Sequence, residues 1–142
     1  MTARRAPRPL LAALLTTVLA TTALAACAGG PSDVAGRTFV ATDVEGHELA
    51  EGTEIVLAFT DDSVGAQPGC NSMSAPATWD DGTLRLTGEM RSTMMACSDE
   101  LMDQEAWFSE LLRAEPTLAL DDGTLTLTGP DATVTLVEQD RP

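Results

Sequence analysis

Two copies of one nine-residue pattern decide the fold: DDGTLRLTG at residues 80–88 and DDGTLTLTG at residues 121–129. Asp-Gly favours a tight hairpin turn, because glycine adopts the positive φ that such turns require. The Leu-x-Leu that follows alternates with a period of two, which is typical of a strand with one buried face. Each copy therefore predicts a β-hairpin whose leucines face a core. A calcium loop is a poor alternative, since the Asp-x-Asp-x-Asp-Gly spacing and the closing Glu of such loops are missing.

Short alternating segments extend this β pattern along the chain. In residues 54–60, Ile55, Leu57 and Phe59 fall on one face of a strand. A turn is expected at residues 45–47. The predicted strands outside the first copy are 38–41, 54–60, 63–67, 117–120, 124–128 and 132–137.

One segment, residues 98–113, has the features of a helix. Ser98 suits the N-cap, acidic residues follow it in the first turn, and Pro116 prevents continuation. Trp107 and Phe108 could line a ligand site, but at helical spacing we expect them in the core. The apolar side expected for the helix comprises Leu101, Ala106, Trp107, Phe108, Leu111 and Leu112. The fold class expected is mainly β (α+β): a small curved antiparallel sheet or barrel-like domain with one α-helix packed against it.

The N-terminus has the pattern of an export signal. Three arginines precede an uncharged apolar run at residues 10–24, which is too short to span a bilayer comfortably. The Leu24-Ala25-Ala26-Cys27 sequence that follows resembles the lipobox of bacterial lipoproteins, in which the cysteine is acylated, for instance with palmitate. We therefore expect a signal peptide at 1–26, lipidation at Cys27 and a flexible tether at 27–35. The predicted domain is 36–138, followed by a tail at 139–142.

The net charge of the chain limits the classes of binding partner that are expected. After removal of residues 1–26, five arginines remain against 22 acidic residues, which is a net charge of −17, and the chain has no lysine. A surface of this sign repels phosphate backbones, so nucleic acid is not an expected partner. It also repels anionic headgroups, so the lipid at Cys27 would have to hold the protein at the membrane. The acids are spread along the chain, which favours solubility as their role over steering of a cationic partner.

The two remaining cysteines, Cys70 and Cys97, could form a disulfide, provide a nucleophile and a bystander, or ligate a metal. Outside the cytoplasm the disulfide is the default, and it would stabilise the domain by about 3–4 kcal/mol. A zinc site needs about four ligands, and His47 is the only histidine, so no metal is expected.

Three motifs in order resemble the META domain family, which includes the HslJ-like lipoproteins. They are Gly69-Cys70-Asn71, then Thr93-Met94-Met95-Ala96-Cys97, then the Glu-rich segment 99–108. Ser98 stands where relatives often have proline. The resemblance covers about residues 37–137 and implies a small, exported, often lipidated β-rich domain with one helix. It implies no catalytic residue or cofactor, and it links the chain only loosely to stress tolerance.

Other candidate chemistry is weak. His47 lies between polar residues and is expected to be a solvated turn residue, and no nucleophile motif accompanies it. The four methionines near the second cysteine could form a copper or partner surface, but core filling beside a disulfide is the favoured interpretation. Asn71 is expected to be a turn residue that bonds its own backbone. The methionines concerned are Met90, Met94, Met95 and Met102.

These observations predict a non-enzymatic, lipid-anchored protein of a bacterial cell envelope. It would be a monomer held to a membrane at Cys27, and it would act in stress tolerance or envelope maintenance through an envelope protein partner. The alternative is an acidic binding module that inhibits a cationic exported enzyme such as a lysozyme, because a small stapled β scaffold carries a strong negative charge.

Overall fold

A computed structural model describes residues 31–139. A single 3-10 turn, Pro31–Val34, opens this part, and Val34 is fully buried. The folded domain thus begins within the expected tether, and residues 27–30 with Cys27 lie outside the described residues. The helix α1 is Asp99–Arg113, and the strands are β1 Thr38–Glu45, β2 Val56–Phe59, β3 Ser63–Gln67, β4 Met73–Thr78, β5 Arg85–Leu86, β6 Arg91–Ser92, β7 Thr117–Asp121, β8 Thr124–Thr128 and β9 Thr133–Glu138.

The strands form one curled antiparallel sheet in the order β5-β4-β3-β2-β1-β9-β8-β7, with β6 also pairing with β4. The sheet curls until its two edges meet. Leu84 N–H donates to the carbonyl of Pro116, and Leu118 N–H donates to the carbonyl of Gly82, at 2.9 and 2.8 Å. The expected mainly β domain with a curved sheet and one helix is confirmed.

Both copies of the repeat form hairpins, as predicted, but with different turns. In the second copy Asp122 and Gly123 both have positive φ, which is the pattern of a two-residue type I′ turn between β7 and β8. In the first copy only Gly82 has positive φ, and its N–H bonds the carbonyl of Trp79. The first hairpin, β4–β5, is therefore wider than the second. The leucines of the second copy are fully buried, whereas in the first Leu84 is buried and Leu86 only half-buried.

Strand β4 carries a proline, and its neighbouring edge accommodates it. Pro76 has no N–H to donate, although its carbonyl still accepts from the N–H of Thr87 at 2.8 Å, and the edge beside β4 is then interrupted at residues 88–90 before β6. Proline is tolerated in sheets where a ladder bond is already missing. The interruption leaves an open groove next to β4.

The core lies inside the curled sheet and under α1. The rings of Phe39, Phe59 and Trp79 meet edge to face, with centroids 5.2–6.0 Å apart. Ile55, Leu57 and Phe59 are buried as their alternation predicted. The other large, fully buried apolar side chains are Phe39, Phe108, Leu84, Leu112, Leu125, Leu127 and Leu136.

The helix begins where predicted, but its buried face differs from the expected apolar side. Ser98 occupies the N-cap position without a capping side-chain hydrogen bond. Ala106 is exposed, while two polar side chains, Gln104 and Ser109, are buried. Gln104 bonds backbone groups of the loops packed against this face, and Ser109 accepts from Arg113 one turn further along the helix. No helix among the described residues is long and apolar enough to cross a membrane.

Candidate functional site

The disulfide lies where two loops reach the start of the helix. Cys70 follows β3, and Cys97 lies two residues before α1; the structure joins them in a bond with Cα atoms 6.2 Å apart. The bond thus ties the segment before β4 to the helix N-terminus. The other expected site residue, Cys27, lies outside the described residues.

Asn71 is the buried centre of a hydrogen-bond cluster. Only 2% of the residue is exposed. Its Oδ1 accepts from Thr93 Oγ1 at 2.9 Å and from the Met95 N–H at 2.7 Å, and its Nδ2 donates to Glu105 Oε2 at 2.9 Å. The expectation that Asn71 bonds its own backbone was wrong, because the helix and the 93–97 loop close over it and supply partners from both sides.

Glu105 extends this cluster along the helix. Its Oε2 also accepts from the backbone N–H of Asn71 at 3.1 Å, and its Oε1 lies 3.3 Å from Ser92 Oγ. Thr93 Oγ1, which donates to Asn71, accepts in turn from the N–H of Ser72 at 3.1 Å. One helical carboxylate therefore holds the loop after β3 and the end of β6 together.

Gln104, the next helical residue, makes a second set of buried contacts. Its Nε2 donates to the carbonyl of Pro68 and to Thr53 Oγ1, and its Oε1 accepts from the N–H of Ala50 at 2.6 Å. Every buried side-chain nitrogen and oxygen among the described residues has a hydrogen-bond partner. Gln104 thus fixes the helix to two loops, the one between β1 and β2 and the one between β3 and β4, and its polar groups are occupied in doing so.

Three exposed methionines lie in the 93–97 loop and the first two turns of α1. We call them the methionine surface: Met94, Met95 and Met102, which are 97%, 60% and 40% exposed. The interpretation of these methionines as core filling was wrong: the backbone of the 93–97 loop is pinned inward, which turns the side chains of Met94 and Met95 outward. Met90 does pack against the core, with its sulfur 3.4 Å from Ser109 Oγ.

Comparison with known proteins agrees with this geometry. The family model of the META domain matches residues 32–141. The chain belongs to the META domain family. No curated protein matches it. Two proteins solved by NMR share the fold. One, from Burkholderia xenovorans, is 16% identical with a TM-score of 0.65, covering 89% of this chain and 100% of that one. The other is 22% identical with a TM-score of 0.64, covering 77% and 94%.

The three motifs that resemble the META family converge in this one cluster. Asn71 comes from the first motif, Thr93 and Met95 from the second, and Glu105 from the third. The disulfide and these hydrogen bonds bring the three motifs together in space, although they are far apart in the sequence. In this META domain the residues of the three motifs therefore attach the helix to the sheet.

The rings of His47 and Trp107 stack face to face where α1 covers the turn after β1. Their ring centroids are 3.9 Å apart and their planes differ by 6°. His47 is half-buried, so the expectation of a solvated turn residue was wrong: the helix brings the indole of Trp107 over the turn after β1. Trp107 is half-buried and packs against the core, and Phe108 is fully buried.

The groove beside β4 has mixed charge. It is open, with a volume of about 430 Å³, and its lining includes Pro76, Glu89 and Arg91. Charges of both signs at its rim partly cancel the field that would attract a charged ligand. No group of three or more His, Cys, Asp or Glu side chains within residues 31–139 is placed to hold a metal ion.

Two ion pairs shift the pKa of their carboxyl groups. The hydrogen bonds from Arg37, near the start of β1, lower the pKa of Glu138 at the end of β9. The hydrogen bond from Arg85 lowers the pKa of Asp81, and the backbone N–H of Thr83 adds to the effect. The Arg37–Glu138 pair links the start of β1 to the end of β9, the Asp81–Arg85 pair lies within the first hairpin turn, and both lie outside the Asn71 cluster.

Proposed function

We propose that this META domain protein is an HslJ-like lipoprotein of a bacterial envelope that acts by contacting other envelope proteins, without catalysing a reaction. Export and anchoring at Cys27 are supported by the charged start, the apolar run and the Leu-Ala-Ala-Cys sequence. The proposed role is in stress tolerance or envelope maintenance, with the acyl chains holding a domain that anionic membranes would otherwise repel.

The observation that carries this proposal is that the polar residues of the family motifs are bonded to other parts of the domain. Catalytic sites keep polar groups available for substrate, whereas Asn71, Gln104 and Glu105 are bonded within the domain. Asn71 holds in place a loop whose methionines face solvent. Exposed apolar side chains on a pinned loop support a role in protein contacts.

Anchoring is tested by labelling growing cells with a palmitate analogue. The wild-type protein should carry label and sediment with membranes, and Cys27→Ser should lose both properties. Ala28→Ser is the matched control, because it makes a similar change next to the cysteine and should keep the label. Label retained in Cys27→Ser would exclude Cys27 as the lipidation site.

The role is tested by deleting the gene and exposing cells to heat and envelope-damaging agents. Reduced survival should be restored by the wild-type protein but not by Cys27→Ser, since the untethered domain is lost from the membrane surface. Full rescue by Cys27→Ser would show that the tether is dispensable and would contradict this proposal.

A second candidate is inhibition of a cationic exported enzyme such as a lysozyme. The net charge of −17 after removal of residues 1–26 supports it, because opposite charges accelerate and orient association. Inhibition should be strongest at low ionic strength and decline as salt screens the charges. Unchanged lysozyme activity at low ionic strength would remove this candidate.

A further inference from the structure

We infer that the methionine surface, with the acidic first turn of α1 beside it, is the docking surface for a cationic protein that carries an apolar anchor. This inference rests on the proposed role in protein contacts and adds the surface and the chemistry of the partner.

The first argument is that the surface is held in shape. Thr93 and Met95 are both bonded to the buried Asn71, and Cys97 ends the loop with the disulfide. Binding through Met94 and Met95 therefore costs little backbone ordering. The flexible, polarizable methionine side chains then adapt to an apolar partner group.

The second argument is charge. Three exposed acids, Asp99, Glu100 and Asp103, lie in the first turns of α1, which also carries Met102. Met102 is three residues from Asp99 and adjacent to Asp103, so apolar and acidic side chains share this end of the helix. An apolar contact rimmed by negative charge fits a partner with an apolar anchor among lysines or arginines.

The third argument is position relative to the anchor. The N-terminal segment enters beside the β2–β3 turn, where the N–H of Gly36 bonds the carbonyl of Phe59 at 2.9 Å. Cys70 and Asn71 come after the opposite end of β3, roughly 15 Å away along the strand. The methionine surface therefore lies at the end of the sheet opposite the point where the described chain enters β1, which favours a protein occupant over the anchoring membrane.

A methyl NMR experiment tests the chemistry of the surface. The full chain with Cys27→Ser, exported without lipid, is labelled at its methionine methyl groups and titrated with an amphipathic helical peptide of lysine and leucine. We expect the signals of Met94, Met95 and Met102 to shift while those of Met73 and Met90 stay in place. A peptide of lysine and serine should bind roughly tenfold more weakly. No shift at low ionic strength, or equal shifts of all these signals, would overturn the inference.

Charge variants locate the electrostatic part. The triple variant Asp99→Asn, Glu100→Gln, Asp103→Asn should weaken peptide binding roughly tenfold. The matched control removes the same number of charges from the two Asp-Asp-Gly turns. It should bind nearly as the wild type does, since those turns lie at the other end of the sheet. Equal weakening in both would mean that net charge, and not this surface, attracts the peptide. The control variant is Asp80→Asn, Asp121→Asn, Asp122→Asn.

Photo-cross-linking in living cells tests the partner. A benzophenone side chain replaces Met94 in the lipidated protein, and a second protein carries it in place of Asp61 near the tether. We expect Met94→benzoylphenylalanine to join a basic protein, and the adduct to disappear when the three acids of α1 are neutralised. Adducts with lipid, with a second copy or with an acidic protein would overturn the inference.

The two positions also separate this inference from the function on which it rests. Protein adducts from position 61 but not from position 94 would refute the docking surface and leave a role in protein contacts intact. Absence of protein adducts from both positions would count against both.

Discussion

Replacement of Asn71 should show how much the buried cluster contributes to stability. Asn71→Ala removes one hydrogen bond to a carboxylate and two to neutral donors. With about 1.5–3 kcal/mol for a bond to a charged group and about 1 kcal/mol for each neutral one, the free energy of unfolding should fall by about 3.5–5 kcal/mol. For a domain of roughly this size, at about 4 °C per kcal/mol, Tm should fall by about 14–20 °C.

Asn71→Asp sharpens this prediction because it keeps the shape of the side chain. The side-chain oxygen that accepts from Thr93 and Met95 is retained. The amide nitrogen that donates to Glu105 is replaced by an oxygen, so two carboxylates face each other. Repulsion by Glu105 raises the pKa of the introduced carboxyl. The loss of stability is therefore present at neutral pH and disappears as the pH falls through that raised pKa, where a protonated carboxyl donates again.

Urea unfolding followed by tryptophan fluorescence measures these changes, with each variant compared with the wild type at the same pH. Gln67→Glu is the matched control: it makes the same amide-to-acid change on an exposed side chain and should cost less than about 1 kcal/mol. The reasoning is refuted if Asn71→Asp costs as little as this control, or if its deficit is the same at pH 7 and pH 4.

Three further changes test other parts of the domain. Cys70→Ser opens a loop with a sequence separation of 27 residues and should cost about 3.5 kcal/mol in urea unfolding; reducing agent should then have no further effect. In the wild type, the Arg37–Glu138 pair stabilises the fold above the ordinary glutamate pKa, and this stability is lost as the pH falls toward the lowered pKa of Glu138. Glu138→Gln should remove this part of the acid destabilisation. An unchanged dependence of stability on pH would contradict the role of the pair. Gly46→Ala should lower Tm more than Gly52→Ala. Both glycines have positive φ, but only at Gly46 would an added Cβ meet the backbone of the loop before β9. Equal losses in the two variants would show that φ alone matters.

Local patterns were sufficient where one element decides its own structure. The alternation in 54–60 predicted the buried faces of Ile55, Leu57 and Phe59, and the cap and dipole signals placed the helix start next to Ser98. Strands 63–67 and 124–128 were predicted with their observed bounds. Such patterns depend on neighbours within one strand or one helical turn, so they are visible in a single sequence.

The cluster around Asn71 has no such local signature. Its members are up to 34 residues apart, in the Asn71–Glu105 contact, and each is an ordinary polar residue in its own segment. The resemblance to the META family was the only sequence signal that grouped them. Exposure of Met94 and Met95 was equally invisible, because methionine occurs in cores and at surfaces alike.

By itself the sequence determined an acidic, β-rich domain with one helix, and it predicted an export signal and lipidation at Cys27. These properties follow from composition and from short-range periodicity. Only the tertiary structure decided that the Asp-Asp-Gly repeat makes two different turns, since the wider first hairpin must let residues 82–84 reach β7 and close the sheet. Only the tertiary structure, too, placed the motif residues inside and the methionines outside, because the inward or outward direction of a loop side chain depends on what packs against its backbone.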